Sequence, residues 1–448
     1  MASALRVRVS PSAYIFSNLT SISSSKKEKT PIAIVLISNG PGEITTWVRP
    51  IAEKLHQQLS IYPKNKESLI SLNLVLVPCP NGTGKEHKVA EEWKQFDRII
   101  TAKNFWNLLL NPKRFGNWPE KGLVVFLGGD QFWSVLLSSR LNYKNMTYAE
   151  WITRWPQWND RVIAMSSKAI DKVPKKYRSR CTVVGDLMGD LQVNLQEKDV
   201  LPEGKWIALM PGSKKAKLSI GVPFMIEVAD RIKAKIPESK FLLPIAPTTT
   251  LEEIIELSGP TNPISKNYQS SIKYKEGHGD TYISKGKLIT TMGTNIYIEE
   301  KQPAHLSLSQ CNLAITTIGA NTSELGALTV PMIVVVPTQH INAMKAWDGF
   351  LGIIARIPFI SSFLNFLLSK WRLRKNNFLA WPNISAGRIV VPEKVGHISP
   401  KEIAEEAINW LNSPARLKGQ KEDLRSLRGE SGAVSKTIHE IMNLLKKM

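Results

Sequence analysis

Ile32-Ala33-Ile34-Val35-Leu36-Ile37-Ser38-Asn39-Gly40-Pro41-Gly42-Glu43 is an unbroken apolar run ending in a glycine-rich turn. Apolar residues without alternation suit a strand covered on both faces, as in a parallel sheet. From Thr46 to Leu59 the spacing becomes helical, with Trp47, Ile51 and Leu55 on one face. Strand, turn and helix in that order form the opening unit of a Rossmann-like sheet. The turn is not GxGxxG, so alone it points only weakly to a ligand.

Working outward, the alternation continues. Leu72–Val77, Arg98–Ile100 and Gly122–Leu127 read as strands, Ala90–Phe96 as a helix, and Val162–Met165 and Thr182–Val184 as the closing strands of this half. Gly122–Leu127 ends at Gly128-Gly129-Asp130. An acid at the carboxyl end of a parallel strand stands where such sheets hold ligands, and Asp130 is equally placed to cap a helix starting near Gln131. Trp151, Trp155 and Trp158 have the spacing of one helical face, that of a core or an interface. After a polar linker, Trp206–Met210 restarts the pattern, and Pro211-Gly212-Ser213-Lys214 precedes a helix from about Val222 to Ala234. Backbone N–H groups and a lysine at such a turn suit a diphosphate. Leu313–Thr317 then leads into Gly319-Ala320-Asn321-Thr322-Ser323-Glu324, where hydroxyls and one carboxylate meet a strand-to-helix junction. Those groups suit phosphate oxygens and ribose hydroxyls, and Thr322 or Ser323 would also serve as helix caps.

Composition narrows the partners. The chain has 448 residues, 43% hydrophobic and 22% charged, as in an ordinary globular protein with more than one core. Lys and Arg number 59 against 38 acids, a net charge of +21 that favours phosphorylated ligands, nucleic acid or an anionic leaflet. No zinc-finger, RNP or KH pattern accompanies the charge, so no nucleic acid is expected. The three cysteines are far apart and read as reduced, buried thiols, and no spacing implies a metal. Residues 1–30 hold eight serines and no acid before Glu28, as in a disordered extension or a transit segment. Gly349 to Ser369 is apolar, with one charge at Arg356 and a proline at 358, and is followed by Lys370, Arg372, Arg374 and Lys375. It reads as an apolar hairpin resting in a membrane interface, or as a helical pair docked on the protein itself. Then comes Trp381-Pro382-Asn383-Ile384-Ser385-Ala386-Gly387-Arg388, in which the guanidinium fork of Arg388 suits phosphate; otherwise it is a surface turn before a strand.

These motifs allow a closer match. Thr317–Leu325 followed by Pro331 resembles the "SGTAxLE…P" segment of lipid-A-disaccharide synthases, and Pro382–Arg388 resembles their "PNLLAGR". Pro211–Lys214 is similar to "PGSR", and Val184–Asp190 to "xGHxMAD". The resemblance runs over about residues 31–412, with departures. Gly-Pro-Gly-Glu stands for "GExSGD", Asp186 for a histidine, and Lys214 for an arginine, which loses a bidentate fork. The pattern is that of a divergent, cyanobacterial-type branch.

The resemblance implies an α/β fold of two Rossmann-like domains facing across a cleft, of GT-B type. It also implies an inverting, metal-independent transfer from a UDP-sugar to a lipid acceptor, with no cofactor. Gly212, Ser213, Lys214, Gly319, Asn321, Thr322, Ser323, Glu324, Asn383 and Arg388 would bind the nucleotide-sugar, with Glu324 on the ribose and Ser213, Lys214, Asn383 and Arg388 on the diphosphate. Asp130 would be the general base, and Gly42 and Glu43 would lie on the acceptor side. The expected domains are an extension (1–30), an acceptor domain (31–195), a nucleotide-sugar domain (205–397) with a membrane-contact insertion (349–375), and terminal helices (398–448). The expected place is the cytoplasmic face of an anionic membrane, or a plastid if 1–30 is a transit segment. No oligomeric state follows. A UDP-sugar epimerase of the same fold, or a catalytically silent lipid- or nucleic-acid-binding relative, are the competing readings.

Overall fold

The structure is a computed structural model that describes residues 31–60, 70–79, 82–191, 201–276, 286–340, 378–428 and 431–448. The 1–30 extension and the 349–375 insertion lie outside the described residues. Two sheets organise the rest. The first holds β1 (Ile32–Ser38), β2 (Ile70–Leu76), β3 (Arg98–Ile100), β4 (Lys121–Phe126), β5 (Lys144–Ala149), β6 (Arg161–Ala164) and β7 (Cys181–Val183), in the order β3-β2-β1-β4-β5-β6-β7. All of its neighbours pair in parallel. The run from Ala33 to Ile37 is fully buried, as a strand covered on both faces must be. Helix α1 (Arg49–Ser60) follows β1 after a helical turn at Pro41–Glu43 and a π turn at Ile44–Val48.

The second sheet is built from β8 (Lys205–Met210), β9 (Ser239–Pro244), β10 (Ile272–Glu276), β11 (Gly286–Thr290), β12 (Asn295–Glu299), β13 (Leu313–Thr317), β14 (Met332–Pro337) and β15 (Glu393–Gly396). Its order is β10-β11-β12-β9-β8-β13-β14-β15. It is parallel from β12 to β15, and β10-β11-β12 form an antiparallel edge. Among its parallel strands each sheet reverses its order once, between β1 and β4 in the first and between β8 and β13 in the second. Outside the carboxyl ends of such strands lies the crevice in which open α/β sheets bind ligands.

The helices that matter to the site are α2 (Phe132–Leu141), α3 (Lys215–Lys235), α4 (Ala320–Ala327), α5 (Trp381–Ala386), α6 (Pro400–Leu411), α7 (Pro414–Leu427) and α8 (Ala433–Leu445). Helix α3 starts at Lys215, a full two turns before the sequence reading, directly after the Pro211–Lys214 turn. Helix α6 packs in the core of the second sheet, whereas α8 lies on the first. Ala433, Val434, Ile438, Ile441 and Leu445 join the core around β1. Asp190 accepts from the backbone N–H groups of Gly432 and, at 2.6 Å, Val434, so it caps α8.

Two expectations are corrected here. The tryptophans near 155 form no helical face, because Trp155 sits in a left-handed conformation and Pro156 opens a short 3-10 turn. All three are exposed, with Trp155 stacked on Trp158 at 5.2 Å between ring centroids. Of the cysteines only Cys311 is buried, while Cys79 and Cys181 are partly exposed. Among the described residues no helix is long and apolar enough to cross a membrane.

Candidate functional site

The two crevices face each other and enclose a cavity of about 290 Å³. Its first wall is Asn39, Gly40, Gly42 and Glu43, with Thr45 and Thr46 from the π turn. Its second wall is Gly212, Ser213, Lys214 and Lys217, and its third is Ile318, Gly319, Ala320, Asn321 and Glu324. Helices α3 and α4 therefore both begin at the cavity. Their first N–H groups have no intrahelical acceptor and carry partial positive charge toward it. An anion is the natural occupant.

The Gly40–Glu43 turn is shaped by close approach. A Cβ on Gly40 would lie 2.4 Å from Oε2 of Glu43, and one on Gly42 only 2.6 Å from Cβ of Ala320 in the other half. The two glycines thus let Glu43 fold back over its own turn and let the halves meet at the cavity floor. Burial holds the Glu43 carboxyl above the ordinary carboxylate range, against the opposing pull of its own backbone N–H and of Lys214. Glu150 and Asp186 extend this acidic side: burial and then Asp186 and Glu43 raise Glu150 to about 8, and burial, outweighing the Met188 N–H, raises Asp186 to about 6. Facing them, the Lys214 ammonium is pushed down to about 8 by burial and then by Lys217.

Glu324 reaches the cavity from α4, with Nε2 of His305 3.0 Å from its Oε1. The sequence reading missed His305, because it stands 19 positions earlier on another helix. Lys217 was also missed.

The structure separates the other expected residues. Gly42, Glu43, Gly212, Ser213, Lys214, Gly319, Asn321 and Glu324 meet at the cavity. Thr322 and Ser323 are buried behind it. The Thr322 hydroxyl donates to Gly319 O and accepts from the Trp381 N–H at 3.1 Å, so it ties α4 to α5. Asn383 does not line the cavity, and its amide is committed to its own motif. It donates to Val391 O and Glu393 at 2.8 Å and accepts from the N–H groups of Val390 and Val391. Arg388 is exposed on the far side, paired with Asp423 at 2.7 Å. The Pro382–Arg388 motif is therefore a buttress: it locks a turn whose Trp381 packs on Gly326 of α4. Asp130 is exposed as well, accepting from the Phe132 N–H at 2.9 Å and facing Arg154. Of its two readings the structure shows the local one, a carboxylate closing the turn into α2.

With this geometry in place, comparison with known proteins becomes informative. No known family profile matches the chain. Over 244 residues it is 27% identical to the lipid-A-disaccharide synthase of Myxococcus xanthus, covering 53% of this chain and 49% of that one. Over about half its length the chain is similar to lipid-A-disaccharide synthases. The enzyme of that name from Gloeothece citriformis is 23% identical over 252 residues, covering 55% of this chain and 52% of that one. The chain thus spans about half the length of the curated relatives it matches. Among solved structures, S. aureus MnaA in complex with UDP superposes with a TM-score of 0.51 at 12% identity, covering 93% of this chain and 98% of that one. A UDP-N-acetylglucosamine 2-epimerase gives 0.50 at 12% identity, with coverage of 94% and 97%. At such identity the likeness speaks for the fold, a two-domain α/β arrangement of GT-B type.

Proposed function

We propose that the protein is a glycosyltransferase that moves a sugar from a UDP-sugar to a lipid hydroxyl at a membrane surface, by a single inverting displacement that needs no metal ion. The observation that carries this reading is the cavity itself. Two glycine turns, two helix N-termini, Lys214 and Glu324 converge there from the second half, opposite a buried carboxylate from the first. Relationship to the lipid-A-disaccharide synthases adds to it.

In this reading Glu324 takes the ribose hydroxyls. The Gly212–Lys214 turn and the starts of α3 and α4 take the diphosphate. The acceptor oxygen attacks the anomeric carbon as its proton passes to Glu43, and the bond from that carbon to the β-phosphate oxygen breaks. Charge grows on the departing UDP, where preorganised N–H groups and an ammonium act most strongly. Glu43 replaces Asp130 as base because it lies in the cavity and because burial raises its proton affinity. Trp151, Ile152, Trp155 and Trp158, exposed on the first half around Arg154, together with the net charge of +21, support an acidic lipid surface as the acceptor side.

The test is incubation with membrane lipid extract and radiolabelled UDP-sugars, with lipids resolved by chromatography. Label in a lipid band supports the proposal, and the band should vanish in Glu43→Gln. Conversion of free UDP-sugar without acceptor would replace it with the epimerase reading. Vesicle binding without any melting shift from millimolar UDP would replace it with a catalytically silent one.

A further inference from the structure

One lysine at the cavity is unlike the others. Lys217 stands on the first turn of α3, and its aliphatic stem lies along the Gly212 turn. A Cβ on Gly212 would come within 3.2 Å of its Cδ. Its Nζ donates to Ile318 O at 3.1 Å and would stand 3.5 Å from a Cβ on Gly319, so it bridges the two glycine turns. Gly212 and Gly319 have φ of +104° and +131°, which a side chain would strain. Beside them Thr317 is 2% exposed, and its hydroxyl has no hydrogen-bond partner. That hydroxyl would be 3.3 Å from a Cβ on Gly212, so it faces the same turn. A buried hydroxyl without a partner, a half-buried ammonium and two open turns together form a seat suited to an anion.

We propose that Lys217, with Thr317 behind it, seats the distal phosphate of a diphosphate and thereby distinguishes nucleoside diphosphates from monophosphates. This rests on the nucleotide reading of the cavity. Lys214, at the turn's open side, then serves the proximal phosphate. The groups facing this pair are Glu43 and Glu86 from the first half and the Cys79 thiol. Burial pushes Lys217 down to about 8, the same place as Lys214. An arriving phosphate favours the charged ammonium, so binding near pH 8 takes up protons.

Titration calorimetry with UDP, UMP, uridine and inorganic pyrophosphate, at pH 8 in two buffers of different ionisation enthalpy, tests this. The wild type should bind UDP at least tenfold more tightly than UMP and take up about one proton, the sum of two half-charged lysines. Lys217→Met should lose most of that discrimination and about half of the proton uptake, with uridine affinity unchanged. Its melting temperature should stay level or rise, because a buried charge has been removed. Thr317→Val, near-isosteric, should weaken UDP several-fold and UMP little. Undiminished UDP-over-UMP preference in Lys217→Met, or unchanged proton uptake, overturns the proposal. Pyrophosphate binding that depends on Lys217 without any UDP binding would keep the anion seat and sink the nucleotide reading. Binding of neither by the wild type sinks both.

Discussion

Replacing Glu150 with glutamine should make the protein more stable in alkali and flatten its response to pH. Glu150 follows β5 on the acidic side of the cleft, largely buried, with Asp186 and Glu43 close enough to raise it electrostatically. Burial is the larger cause, and the outcome is a carboxyl lifted from the ordinary 4.5 to about 8. The folded protein therefore keeps a proton that the unfolded chain releases near 4.5. The sign follows from proton linkage: this contribution to stability is complete below about 4.5 and is lost as pH climbs through about 8. At about 1.4 kcal/mol per pH unit of difference, the gross cost of ionising it in place is on the order of 5 kcal/mol. Asp186 and Glu43 share the titration, which leaves about 2–3 kcal/mol for this one side chain. Urea unfolding followed by tryptophan fluorescence at pH 5, 7 and 9 is the assay. The wild type should lose stability steadily across the series. Glu150→Gln should lose less than half as much and overtake the wild type by pH 9. Parallel losses in the two proteins would refute the reasoning, because they would place the titrating group elsewhere.

Glu43→Gln should lower kcat at least a hundredfold with the donor KM within threefold, since it removes a proton acceptor and little ground-state binding. In the wild type, kcat/KM should rise with pH as Glu43 ionises and fall above about 8, where Lys214 and Lys217 lose their protons; a profile flat from pH 7 to 10 counts against the lysines. UDP should raise the melting temperature, and Glu324→Ala should abolish the rise while Arg388→Ala, whose guanidinium pairs with Asp423, leaves it within a degree or so. Asp190→Ala should cost about 1–2 kcal/mol and expose the amides of α8 to hydrogen exchange before those of β1, because it removes the cap on that helix.

The parts of this fold that were legible in sequence are those where burial and hydrophobicity coincide. Ala33–Ile37 and Leu313–Thr317 are buried on both faces, and both read as strands. Strand β5 escaped because its polar residues find partners locally. The Asn145 backbone N–H donates to Asp160 at 2.9 Å, and the buried Thr147 hydroxyl donates to Asn159 at 2.7 Å. The tryptophan spacing imitated a helix, and a left-handed Trp155 before Pro156 breaks it. In the site, turns after strands at the reversal points were legible because backbone geometry, and not a particular side chain, makes them anion seats. Asn383 and Arg388 mark the opposite case. A motif rich in hydrogen-bonding groups reads as ligand-binding, yet here the Asn383 amide closes its own turn and the Arg388 guanidinium pairs with Asp423. Nor could spacing tell which of Lys214, Lys215 and Lys217 bridges the two glycine turns, because that depends on where β13 brings Ile318.

Helix α8 is the last ordered element of the chain, yet it completes the first core. Four of its side chains, Val434, Ile438, Ile441 and Leu445, are buried against β1 and its neighbours, at about 2 kcal/mol of apolar burial each before entropy is charged. The two halves are therefore not separable modules. A fragment ending near Leu191 would leave that face bare and should aggregate or bind an α8 peptide added in trans. The chain passes between the halves twice, once between Leu191 and Leu201 and again between Leu427 and Ala433, so the halves are joined at two places.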